Sequence, residues 1–205
     1  MQQESQSRRS NRERSEDMRA TLIRTARHLF VKNGYNATGT PEIVSAASVT
    51  RGALYHHFAD KADLFRAVVV AEAQAVAKEI EASAATAASP IEALEGGAVA
   101  YFNAMTVPGR AHLLLVEGPA VLGVDAMAAI DGDTGGGTLK AGLDAVARSA
   151  GDDTLAVEEA AILLSAVFDR AAYAIAQGGD ADRYRQVVHR LLHGLFASGI
   201  KMSGK

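Results

Sequence analysis

Three helix starts crowd into the segment from Thr40 to Asp60, and this spacing limits the fold more than any other feature of the chain. Thr40-Pro41-Glu42 reads as a capping residue, a proline at the first helical position and an acid in the first turn. Thr50 offers a second capping hydroxyl, and Asp60, followed by Asp63, a third start. The first two helices can therefore be only about two turns long, from Pro41 to Ala46 and from Arg51 to Phe58. The third has room to run through Leu64, Phe65, Val68 and Val69 to about Glu81.

The flanking sequence is also helical in pattern. From Asp17, the apolar positions Met18, Leu22, Ala26, Leu29 and Phe30 fall at helical spacing, and Asn33-Gly34-Tyr35 ends the run. Ser89-Pro90-Ile91-Glu92 opens a helix to about Met105, which Pro108-Gly109 stops. The stretch RAHLLLVEGPAVLG predicts a helix with a break near Gly118-Pro119, and DGDTGGG a flexible loop before a helix from Thr138 to Ala150. Two longer helices, from about Leu155 to Gln177 and from Ala181 to Ala197, close the chain around Gly178-Gly179-Asp180. The expected class is all-α.

Composition narrows the function. A chain of 205 residues that is 48% hydrophobic can build a substantial core, and the lack of cysteine removes disulfides, thiolate zinc sites and cysteine nucleophiles. No apolar leader and no run of about 18 apolar residues is present, so a cytoplasmic protein without membrane partners is expected. Charge is divided unevenly: residues 1–66 carry 11 Lys/Arg against 7 Asp/Glu, whereas residues 67–205 carry 10 against 17. An anionic partner is thus expected at the N-terminal part. Residues 1–16, with Arg8, Arg9, Arg12 and Arg14, are expected to be a disordered basic arm that either follows DNA or merely solubilises the chain.

Two short helices joined tightly and buttressed by longer ones form a helix-turn-helix pattern. Ile43, Ala47, Val49, Leu54 and Phe58 would hold the pair at a fixed angle, leaving Arg51, Gly52, Tyr55 and His56 facing outward. Gly52 is costly within a helix, by about 1 kcal/mol against Ala, and suits a surface that something approaches closely. The run from Leu22 to Phe65, with its LF...GY.AT, I...A.V..G.LY.HF and K..L elements, resembles the tetracycline-repressor family of bacterial transcription regulators. Ser48 stands where that family usually has a turn glycine. LLLVEGPAVLG at Leu113–Gly123 is similar to a segment in the regulatory domain of some members.

The resemblance implies a helix-turn-helix domain over 17–66 and a helical ligand-binding and dimerisation domain over 67–205. It implies a homodimer that represses from a palindromic DNA operator and is released by a small-molecule effector. Carried onto this sequence, Thr40 and Lys61 would meet phosphate, Thr50, Arg51, Gly52 and Tyr55 would sit at the groove, and His56 would touch base or backbone. His57 reads as mainly structural. Adjacent helical residues point about 100° apart, so His56 and His57 are poorly placed to share a metal.

Apolar patterning in the last two helices suggests a four-helix dimer interface, with Leu164, Phe168, Ala171, Val188, Leu191, Leu192 and Leu195 as its candidates. A largely apolar effector could be held by Tyr101, Phe102, Met105, His112, Leu115, Met127, Phe168 and Tyr173, with Glu117 or Asp169 as polar anchors. His189 and His193 have the spacing of ligands on one helix face, but no acid lies between them, and a packed surface is the simpler reading. DGDTGGGT lacks the acids of a calcium loop and the lysine of a phosphate loop. No cofactor and no catalytic constellation is expected. The rival reading is a helical small-molecule carrier with a degenerate DNA-binding module.

Overall fold

The computed structural model describes residues 2–197, and every regular element within them is a helix. Helix α1 spans Gln2–Asn33, so residues 2–16, within the segment expected to be a disordered arm, are the first half of a continuous helix. Nothing in that half breaks a helix, since neither Gly nor Pro occurs before Gly34. Arg12 Nε also donates to Glu16 Oε1 across one turn at 2.7 Å. Only the second half of α1 is amphipathic; it buries Leu22, Ala26, Leu29 and Phe30.

Helices α2 (Thr40–Ala46) and α3 (Arg51–His57) are the two short elements predicted from the caps. Thr50 caps α3 as expected, its side chain accepting from Ala53 N at 3.1 Å. Thr40 does not cap α2. Gly39 holds the capping position in extended conformation without a side-chain bond, which makes Thr40 the first helical residue and leaves its hydroxyl available elsewhere. The turn between the helices passes through Ser48 at φ 55°, the only non-glycine in the left-handed region among the described residues. A side chain there costs about 1–2 kcal/mol, which explains why glycine would suit the turn.

Helix α4 (Lys61–Ala84) starts at Asp60, whose side chain accepts from Asp63 N, while Asp63 Oδ2 accepts from Ala59 N. Its first turns bury Leu64, Phe65, Val68 and Val69 against α1, with Phe30 and Phe65 in edge contact at 5.1 Å. Ile43, Leu54 and Phe58 complete this core, while Ala47 and Val49 pack at its margin. Because α4 continues past residue 66, one rigid rod joins the helix-turn-helix part to everything after it.

The remaining helices pack on α4 or on the helices that cover it. They are α5 (Pro90–Met105), α6 over residues 110–122, α7 (Val124–Gly132), α8 (Gly135–Ala150), α9 (Val157–Ala176) and α10 (Ala181–Ala197). The break expected near Gly118-Pro119 is a π-helical turn, Leu113–Glu117, inside an otherwise continuous helix. Helix α7 was not foreseen, and the supposed glycine loop contributes only Asp133 and Thr134 to a turn. Asp131 explains the change: its carboxylate accepts from Gly136 N at 3.1 Å and thereby supports the first turn of α8. A buried ion cluster stitches the two parts together. Glu72 of α4 accepts from Arg27 of α1 at 2.9 and 3.1 Å and from Arg110 of α6 at 3.0 Å, and Arg110 also donates to Ala104 O at 2.8 Å.

Candidate nucleic-acid interface and internal cavity

The outer face of α3 carries Arg51, Gly52, Tyr55 and His56, all exposed, because Leu54 and Phe58 are turned into the core on the opposite side. Arg51 lies over the Tyr55 ring with its guanidinium carbon 5.5 Å from the centroid. Hydrogen bonding with Thr40, then with Arg51, holds the Tyr55 phenol below its usual range. A Cβ built on Gly52 would meet nothing closer than Thr50 Oγ1 at 3.9 Å, so no intramolecular packing requires glycine there. His57 is half-buried, and burial, then the neighbouring His56 and Arg19 charges, push its pKa down. Its ring centroid sits 5.2 Å from that of His56 and 6.4 Å from that of Phe58.

Lys61 is placed differently from expectation. Its ammonium donates to Tyr35 O at 2.9 Å and Thr38 O at 3.1 Å and lies 4.1 Å from the Tyr35 ring centroid. Two of its three donors are thereby committed to the loop between α1 and α2. This structural staple replaces the free reach to phosphate that the sequence suggested.

Two adjoining cavities occupy the far half of the molecule, of about 360 Å³ and 940 Å³. Tyr101, Asp131, Gly135, Ser165 and Asp169 line both. Among the predicted effector residues, Phe168 lines the smaller cavity, and Met105, Leu115, Met127 and Tyr173 line the larger. Tyr101 donates to Asp169 Oδ1 at 2.6 Å, and Ser165 donates to Asp131 Oδ2 at 2.9 Å. Burial pushes the Asp169 carboxyl up to about 6; the Tyr101 hydrogen bond opposes this and the nearby Asp131 adds to it. Burial and the Asp169 carboxylate in turn push the Tyr101 phenol well above its ordinary value, so it remains a donor. Asp131 and Ser165 escaped the sequence analysis. The available signal was an aspartate beside three glycines, which reads as a loop unless the helix it caps is known.

Three predicted effector residues lie elsewhere. His112 is exposed and lines a separate space of about 320 Å³, which Phe102 also borders. Glu117 faces the other way altogether: its Oε1 accepts from Tyr35 N at 2.9 Å, and its Oε2 is buried without a partner. Two positions along a helix already place Glu117 on nearly the opposite side from Leu115, so the side that lines the cavity cannot also present Glu117.

The family model for bacterial regulatory proteins of the tetR family matches residues 22–68, and that for the tetracyclin repressor-like C-terminal domain matches residues 91–198. The chain belongs to the tetracycline-repressor family. It is similar to the HTH-type transcriptional regulator AcrR of Shigella flexneri, at 31% identity over 52% of this chain and 50% of the relative. It also resembles QacR of Staphylococcus aureus, at 45% identity over 24% of this chain and 26% of that one. Alignment thus spans about half the length of the first of these relatives. A crystal structure of a tetR-family transcriptional regulator from Pectobacterium atrosepticum superposes with a TM-score of 0.69 at 29% identity, covering 90% of this chain and 94% of that one.

As a tetracycline-repressor family chain it presents an apolar surface different from the one predicted. Leu164, Phe168, Ala171, Val188 and Leu192 are buried inside the protomer and cannot form an outer face, and Leu195 is half-buried at its edge. On α9 and α10 the exposed large apolar residues are Ile162 and Leu163, at 62% and 68% exposure, and Tyr184, Val187 and Leu191, at 37%, 56% and 45%. Of the predicted set only Leu191 lies on that face. Helix α9 is apolar around much of its circumference and α10 carries a wide apolar stripe, and sequence periodicity could not tell which part of either faces inward. No described helix is long and apolar enough to cross a membrane.

Proposed function

We propose that this protein is a ligand-responsive transcriptional regulator, a dimeric repressor that leaves a palindromic operator when an effector enters the internal cavity. The outer face of α3 carries this reading. A rigid core presents Arg51, Tyr55 and His56 beside a glycine that the fold itself does not need. Such a surface suits entry into a major groove. Selection from a random duplex library at about 0.15 M salt tests it, a range in which counterion release still discriminates. The wild type should enrich a palindrome and Arg51→Ala should not. Failure of a folded, dimeric wild type to enrich any motif, with and without candidate effectors, overturns the reading in favour of a carrier with a degenerate module.

The dimer would pair the outward stripe of α10, Tyr184, Val187, Leu191 and Gly194, with that of a second copy, flanked by Ile162 and Leu163. Nothing lies within 4 Å of a Cβ built on Gly194, so another backbone could come close there. Val187→Asp with Leu191→Asp should yield a folded monomer in light scattering. A dimer that survives both changes removes this interface from consideration.

The cavity also suggests the effector's chemistry. Glu81, Asp131 and Asp169 line the 360 Å³ space among mostly apolar neighbours, and among the described residues no lysine, arginine or histidine lines it, whereas Lys140 and Arg170 line the adjoining larger cavity. An effector with an apolar body and a cationic group would satisfy both features. Because Asp169 must ionise to meet a cation, affinity should fall as pH drops below about 6 and be flat above it. A quaternary ammonium dye, whose own charge does not titrate, makes the measurement clean. Asp169→Asn should flatten the profile; a steep profile in that variant would assign the titration to another group. Release from DNA would then follow through α6, where Leu115 lines the larger cavity and Glu117 holds Tyr35 N.

A further inference from the structure

Helices α5 and α10 bring together three potential metal ligands away from both the α3 face and the internal cavity. Glu95 comes from α5, and His189 and His193 come from successive turns of α10. One donor atom from each lies within 4.8 Å of the others. Both imidazole Nε2 atoms approach the same carboxylate oxygen, Glu95 Oε1: that of His189 at 3.7 Å and that of His193 in closer contact. The two rings lie side by side, with centroids 4.3 Å apart.

The acid whose absence between the histidines counted against a site is thus supplied by another helix. Two neutral imidazoles have only one acceptor nitrogen each, and the carboxylate carries a negative charge. A divalent cation uses all three lone pairs at once, whereas two imidazolium ions at this separation would repel each other. Both histidine side chains are about half exposed, at 57% and 50%, and Glu95 is 29% exposed. An ion could enter from solvent and keep water in its remaining positions.

Arg185, one turn before His189, is the nearby cation that would oppose the ion. Its guanidinium is directed to Asn103 Oδ1 at 2.9 Å and to Asp182 Oδ1 at 3.7 Å.

We propose that Glu95, His189 and His193 bind one zinc ion, or a neighbouring first-row divalent ion, and so clamp α10 onto α5. Imidazole nitrogen with carboxylate oxygen is a donor set such ions accept, and about 2.0–2.2 Å bonds need only a small closing of the side chains. The clamp would lie on the flank of α10 away from Val187 and Leu191, leaving that stripe open while fixing the helix that carries it. This inference does not depend on the regulator reading.

The test uses the untagged full-length protein, stripped with a chelator and titrated with Zn²⁺ by calorimetry and with Co²⁺ by visible absorption. One ion per chain should bind, and Co²⁺ should develop the intense ligand-field band of a low-coordinate site. Saturating Zn²⁺ at about 100-fold above Kd should raise the melting temperature by roughly 5–10 °C. His193→Ala and Glu95→Gln should each weaken binding by about 100-fold or more, since removing even an outer partner of a ligand costs up to about that factor. Exposed His28, remote in the chain from this cluster, serves as the control, and His28→Ala should change nothing. His193 and His28 are exposed and Glu95 is half-buried, and circular dichroism verifies the folding of all three variants. Absence of stoichiometric uptake, or uptake undiminished by His193→Ala and Glu95→Gln, overturns the proposal.

Discussion

Replacing Glu72 with Ala should destabilise the protein by about 3–5 kcal/mol, because it leaves a buried guanidinium without its counter-charge. Arg110 is only 6% exposed and Glu72 8%, and the carboxylate accepts from both Arg27 and Arg110. Burial alone would push the Glu72 carboxyl up. Hydrogen bonds from Arg27 and Arg110, and then their charges, outweigh it and bring the carboxyl below its usual value. A depressed carboxyl contributes stability that is fully present above its unfolded pKa and disappears as pH falls through the folded one. The wild type should therefore lose part of its advantage over Glu72→Ala in acid. Urea unfolding of both proteins at neutral and acidic pH measures this directly. Changing the set together, Glu72→Leu with Arg110→Met, should restore much of the loss, since a matched apolar replacement removes the uncompensated charge. A loss under about 1 kcal/mol for Glu72→Ala would mean that water reaches the cluster.

The second large effect is expected at the outer face of α3, the surface proposed to enter the groove. Arg51→Ala should weaken operator binding by about 1–3 kcal/mol in each half-site, hence by at least about 30-fold for a dimer that reads two. Titration of the selected palindrome against a scrambled duplex, at two salt concentrations, separates base reading from phosphate attraction. Loss confined to the palindrome assigns Arg51 to base edges. Equal loss on both duplexes, with a shallower salt slope, assigns it to phosphate. Lys61→Ala provides a contrast from the same domain. Because its ammonium is bonded to Tyr35 O and Thr38 O, its main effect should be on stability, with little change in salt slope.

The helix-turn-helix was legible because its signals are local. Thr50 and Asp60 act on backbone groups only three residues away, and Ile43, Leu54 and Phe58 reveal their inward direction by spacing alone. Thr40 was misplaced by one position, a difference set by the extended conformation of Gly39. The glycines at 135–137 read as a loop because their helix depends on Asp131, which caps it from the preceding element. Glu117 looked like an effector anchor, but its partner is Tyr35 N, 82 residues away in the chain, which no local residue pattern announces.

Taken alone, the sequence determined the all-helical class, the short-helix pair and the residues on its outer face, because capping and helical periodicity act within a few residues. Tertiary structure decided which side of α9 and α10 faces outward, how Asp131 and Asp169 come to share one cavity, and how Glu95 meets His189 and His193. Those outcomes depend on the angle and rotation at which separate helices pack. Several faces of an apolar helix satisfy its own periodicity equally well, and only its neighbours choose among them.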